Sequence, residues 1–185
     1  MKHTRFLGTL SVVGGVSAVP LFIAFATIGW SVPGTAAYER YELLNRITAV
    51  SLLLMLAGWV GLALLWRKED GYWRIWLPLV GSILTIIGNA SEFWLFSDLS
   101  YDGFNMRHVA WTTFLVGLLL LAIGATITGI AFRRNQLWPD WLAVLLMAAL
   151  PLTVIVSMVS PFMGPAVLAS ALGWVLLNGS HSSIT

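Results

Sequence analysis

Residues 109–132 read VAWTTFLVGLLLLAIGATITGIAF, with no Asp, Glu, Lys or Arg between His108 and Arg133. A helix needs roughly 20 apolar residues to cross about 30 Å of hydrocarbon, so this run is long enough to span a bilayer. It is also apolar on every side, which suits a lipid solvent and not a water-facing surface. Reading outward between charges finds similar runs at 7–30, 47–66 and 75–96. Beyond Asp140 no charged residue occurs, and 141–178 is too long for one span and tight for two. Pro161 and Gly164-Pro165 mark a turn there, which predicts spans at 141–160 and 166–180. The expected fold is therefore an all-α polytopic membrane helical bundle, one transmembrane domain over 1–185 with about six helices. The alternative is five helices plus a short or re-entrant sixth.

Composition agrees. Charged side chains make up 10% of the 185 residues and apolar ones 58%, with mean hydropathy +0.86. A soluble domain carries about 25% charged residues, so soluble enzymes, nucleic-acid binders and disordered tails are excluded. The net charge of +2 comes from scattered residues that form no basic cluster. There is no cysteine, which removes disulfides, thiolate metal sites and cysteine nucleophiles.

The distribution of charge predicts orientation. With the N-terminus inside, the inner turns hold Lys2, Arg5, Arg67, Lys68, Arg74, Arg133 and Arg134, against Arg40, Arg46 and Arg107 outside. Basic residues accumulate on the cytoplasmic side, so a cytoplasmic N-terminus in the cell membrane is expected. The first run is some 24 residues long, beyond the roughly 7–15 of a signal-peptide core, and reads as a span and not a cleaved leader. Indole rings favour the headgroup boundary. Trp30, Trp66, Trp73, Trp76, Trp94, Trp111, Trp138 and Trp141 all sit at predicted span ends, while Trp59 and Trp174 fall inside.

The chain also echoes itself. Tyr41-Glu42-Leu43-Leu44-Asn45-Arg46 precedes the second span and Tyr101-Asp102-Gly103-Phe104-Asn105-Met106-Arg107 the fourth, each reading aromatic, acid, apolar, Asn, Arg. Basic pairs and tryptophans follow both spans, which suggests repeated helical hairpins. Topological signals alone would also place the basic residues and tryptophans there. Small residues four apart, Ala57 with Gly61, Ala125 with Gly129, and Ala166 with Ser170 or Ala169 with Gly173, let helix backbones approach closely. They predict that the even-numbered spans form the tight centre.

One span carries a polar stripe. Ser82, Thr85, Asn89 and Glu92 follow spacings of three, four and three, within about 80° of one helix face at 100° per residue. That face should look into the bundle, with Glu92 near the outer boundary. The starts of spans two and four bring Glu39, Glu42, Arg46, Asp98, Asp102, Arg107 and His108 to the same layer. Glu42 and Arg46 have the order of a helical ion pair, and Glu92 is expected to pair with Arg107 or Arg46. Ser82, Thr85, Asn89, Glu92, Arg46, Arg107 and His108 are thus the candidate ligand-binding residues. The competing reading is a set of ion pairs that pins helix ends.

No catalytic or metal set is recognisable. His3, His108 and His181 are dispersed, no zinc motif or nucleotide loop occurs, and His108 with Met106 or Met163 lacks the paired in-span histidines of a membrane haem. No cofactor is expected. Partners are the lipid bilayer and, as candidates, a small-molecule ligand, a second copy or another membrane protein; nucleic acid is not one. Two functions compete: a small-solute binding or transport bundle around Glu92, and a non-catalytic structural or regulatory subunit that docks through its helix faces. An enzyme would need an acid–base pair such as Glu92 with His108.

Overall fold

The structure, a computed structural model, describes residues 2–28, 33–67, 71–100, 103–136, 138–157 and 160–178, without the side chains of 156 and 157. Trp30, Lys68, Tyr101, Asp102 and His181 lie outside the described residues. Seven α-helices run in chain order among them: α1 Lys2–Ile28, α2 Ala36–Trp66, α3 Trp76–Ala90, α4 Met106–Asn135, α5 Asp140–Met147, α6 Ala149–Ser157 and α7 Met163–Asn178. A 3-10 turn, Tyr72–Ile75, leads into α3, and a π turn, Ser91–Leu95, closes it. The first, second and fourth helices, and α3 with its two flanking turns, are long and apolar enough to cross a membrane. The protein is an all-helical membrane bundle.

The ends of the helices follow their local chemistry. Thr35 caps α2 by accepting the Tyr38 N–H, with Glu39 in the first turn where a helix dipole favours acid. The helix therefore starts well before the expected boundary at 47, and its first three turns carry Glu42 and Arg46 into the layer above the apolar run. Asn105 caps α4 by accepting the Arg107 N–H at 2.9 Å, and Arg133 and Arg134 occupy the last turn. The two echoed motifs consequently differ in structure. Asn45 lies inside α2 and donates to the Tyr41 carbonyl, whereas Asn105 stands outside its helix as the cap.

The expected single span 141–160 is two helices. Pro151 has no N–H to offer the Met147 carbonyl one turn back, and the helix breaks at Ala148. Thr126 of α4 covers the gap: its hydroxyl accepts the Leu150 N–H at 3.3 Å and reaches the Met147 carbonyl at 3.5 Å. Thr126→Val should leave that amide unsatisfied and cost about 1–2 kcal/mol, measured by unfolding in detergent; an unchanged midpoint would mean that the break needs no bridge. The last helix begins at Met163, not 166, because Gly164 and Pro165 sit in its first turn, where proline costs no hydrogen bond.

Close packing through small residues joins the first span to the second and sixth, the third to the fourth and the fourth to the fifth, as well as the second to the sixth, so small residues do not single out the even-numbered spans as a centre. Gly129 faces the Ala143–Met147 backbone of α5, Gly173 faces Gly8 and Val12 of α1, and Gly61 faces Leu176 of α7. The buried residues of α1 are all small, Gly8, Ser11, Gly14, Gly15 and Ala18, and Ser11 donates to the Ala169 carbonyl of α7 at 2.7 Å. Its large residues Val13, Val16, Val19 and Ile23 point outward. Helices α2 and α4 meet through rings instead, Trp66 against Phe132 at 4.9 Å. Trp66 is thus a core residue and not a boundary one, while Trp73, Trp76, Trp94 and Trp141 are exposed at helix ends as expected. With Trp59, Leu62, Leu79, Leu142 and Leu146, this ring pair belongs to a solid core. The opposite end, where α1, α3 and α6 finish and α2, α4 and α7 begin, is built differently.

Candidate functional site

Helix α3 holds its stripe inward: Ser82, Thr85, Asn89 and Glu92 are all buried. Their hydroxyl and carboxamide groups then part company. Ser82 donates to the Pro78 carbonyl and Thr85 to the Gly81 carbonyl, each at 2.8 Å, so both hydroxyls are satisfied within their own helix. They face a small void with Met55, Trp59 and Leu121. Asn89 and Glu92, further along, line a partly enclosed cavity of about 340 Å³. Asn89 is 1% exposed and its Oδ1 has no hydrogen-bond partner. A buried amide oxygen left unmatched costs about 1–3 kcal/mol, which makes it the one poorly satisfied group on this wall.

The wall changes pitch beside it. Phe96 N–H bonds the Ser91 carbonyl at 2.9 Å, a five-residue step that widens the helix into the π turn holding Glu92 and Phe93. Such turns recur at functional sites. The carbonyl of Phe93 is taken by Arg46, whose Nε donates at 2.7 Å.

Aromatic rings from five places close the rest. Tyr41 of α2 meets Phe93 edge to face at 5.8 Å and Phe25 of α1 at 5.8 Å. Phe25 stacks on Phe162 of the turn before α7 at 6.0 Å, and Phe162 meets Phe114 of α4 at 5.6 Å. The five rings form a continuous chain around the cavity, joined in the lining by Phe22 and Trp111. Asn45 adds a second buried carboxamide.

Above the cavity lies an arginine clamp. Arg107 is 2% exposed and its Nη1 donates to the carbonyls of Ser97 and Leu99, both at 2.8 Å. Its Nη2 donates to Tyr38 Oη at 2.7 Å and to Glu42 at 3.0 Å. One guanidinium therefore ties the start of α4 to the start of α2 and to the loop after α3. The expected helical pair Glu42–Arg46 forms loosely, at 3.9 Å. His108 stacks on Phe104 and contacts Asn105, outside the cavity lining.

Of the seven candidate residues, Asn89 and Glu92 line the cavity, Arg46 and Arg107 organise its surroundings, and Ser82, Thr85 and His108 do neither. Sequence reading did not place Phe22, Phe25, Asn45, Phe93, Trp111, Phe114 or Phe162 at the site, although Asn45 stands in the echoed motif and Trp111 among the span-end tryptophans. The available signal was positional: all these residues sit near helix ends that topology brings to one side. Among the described residues no group of three His, Asp or Glu could hold a metal ion. The chain matches no protein-family model, no curated protein and no solved structure.

Proposed function

We propose that this chain is a multi-pass cell-membrane protein that binds a small organic solute in the cavity beside Asn89 and Glu92. The observation that carries the reading is the Asn89 Oδ1, fully buried, facing a 340 Å³ cavity and without a hydrogen-bond partner. Ligand sites are commonly cavities of about 300–1,000 Å³ with apolar walls and a few convergent polar groups. The basic residues at the other end favour placing the cavity on the outer side, with a cytoplasmic N-terminus. Binding comes before transport in this reading, because the cavity is confined to one end and the Trp59, Trp66 and Phe132 core fills the other. Flux would require that core to open.

The test replaces the two cavity residues. Glu92→Gln and Asn89→Leu should each weaken solute-induced thermal stabilisation, and any flux into proteoliposomes, in a bundle that still unfolds cooperatively. Undiminished binding or flux in both variants would sink the proposal. If both behave as wild type and the protein purifies in a stoichiometric complex with a second membrane chain, the docking-subunit reading replaces it.

A further inference from the structure

We infer that the solute is an organic cation, an ammonium carried on an aromatic or short alkyl body. This rests on the binding reading above and names the ligand class for the same cavity. Seven of the thirteen lining residues are aromatic. The π-face of each ring is its negative side, and a desolvated cation is attracted to it within about 6 Å of the centroid. Phe93, Tyr41 and Phe25 meet edge to face along this wall, so their rings stand at differing angles to the cavity.

The one charged residue in the lining has the same sense. Glu92 and Asn89 are three residues apart on one helix face and present a carboxylate and an open amide oxygen, both acceptors. An ammonium N–H would satisfy Asn89 Oδ1, while its charge lies beside the carboxylate and under the rings. No Lys, Arg or His lines the cavity, so an anion would meet the Glu92 carboxylate with no cation in the lining to offset it. The nearby guanidinium groups stand outside the lining, that of Arg107 with its central carbon 5.9 Å from the Phe93 ring centroid. Arg107 is held by two loop carbonyls, Tyr38 and Glu42, and Arg46 by the Phe93 carbonyl. A neutral hydrocarbon would fill the space but leave Asn89 unsatisfied.

A matched trio of probes tests charge at constant shape: phenethylammonium, 2-phenylethanol and phenylacetate, titrated calorimetrically into the full chain in nanodiscs of zwitterionic lipid. The ammonium should bind at least tenfold more tightly than the alcohol, and phenylacetate should not bind. Glu92→Gln should bring the ammonium down to the level of the alcohol, and retained alcohol binding shows that this variant is folded. Phe25→Leu, which keeps apolar bulk without a π-face, should weaken the ammonium more than the alcohol. Equal or tighter binding of the alcohol or carboxylate, lost in Asn89→Leu, would overturn the cation assignment and leave the binding cavity standing. If none of the three binds, the cation assignment falls, and unaltered thermal stability of Asn89→Leu in every solute tried removes the cavity reading with it.

Discussion

Replacing Arg107 with Met should destabilise the bundle by about 3–5 kcal/mol, the cost of breaking a buried, hydrogen-bonded ion pair from one side. The side chain is 2% exposed and each of its terminal nitrogens serves two acceptors. Its loss takes a donor from the Ser97 and Leu99 carbonyls and the Tyr38 hydroxyl, and leaves Glu42 with the 3.9 Å contact to Arg46. Met fills most of the volume, so the effect isolates hydrogen bonding from packing. Arg107→Lys keeps the charge but not the planar fork, and one ammonium cannot reach acceptors on α2 and on the loop after α3 at once; it should recover less than half of the loss. Arg46 gives the contrast. Its side chain is 40% exposed and its ion pair is 3.9 Å long, so Arg46→Met should cost about 1 kcal/mol, mostly the bond to the Phe93 carbonyl. Denaturant titration in detergent reads both. A loss below about 1 kcal/mol for Arg107→Met would mean that solvent already reaches the clamp.

Why that clamp escaped sequence reading, while its parts did not, is instructive. Arg107, Glu42 and the helical pair Glu42–Arg46 were legible because charges beside apolar runs are few and helical spacing is local. The partner of Arg107 is 65 positions away, and nothing local distinguishes Glu42 from Glu39 or Asp98 as the residue it meets. The stripe on α3 was legible for the same reason that it is buried: polar groups in an apolar helix face inward. Its division was not. Ser82 and Thr85 can return their hydroxyls to the carbonyls four residues back, whereas the Asn89 carboxamide oxygen, an acceptor, cannot do the same and is left without a partner. Serine and threonine in an apolar helix are therefore weak pointers to a site, and a carboxamide or carboxylate is a strong one.

The aromatic chain was hidden by a different ambiguity. A ring near a helix end is equally suited to the lipid boundary and to the wall of a cavity. Trp94 and Phe93 are neighbours in sequence, one exposed and one buried, and only the angle at which the π turn delivers them separates the two. The break at Ala148 follows from Pro151 in principle, yet Pro20 is carried inside α1 without ending it. What decides is whether a neighbouring side chain, here Thr126, can take the freed amide and carbonyl.

Gly88→Val should prove at least as damaging as the loss of Arg107, costing upwards of about 3 kcal/mol because the obstacle is main chain and cannot rotate away. A Cβ at Gly88 would strike the backbone of Phe114, and one at Gly81 the backbone of Leu121. From the other side, a Cβ at Gly117 meets Thr85 and one at Gly124 meets Pro78. Each advance of seven residues along α3 is thus matched by a retreat of seven along α4, with glycine on one helix or the other at every contact. Two antiparallel helices are zipped at backbone distance, the arrangement by which membrane helices associate when lipid supplies no hydrophobic drive. Valine at 88 forces them apart next to Asn89 and one turn from Glu92, so the cavity wall moves with the seam and solute binding should fall together with stability. Leu119→Val, on an exposed part of α4, removes one methylene and should shift the midpoint by less than about 1 kcal/mol. Gly88→Ala separates the two consequences. Its single added carbon demands a smaller displacement, so a variant that remains folded but binds solute more weakly is expected. Wild-type stability and binding in Gly88→Val would show that α3 and α4 are not held by backbone contact.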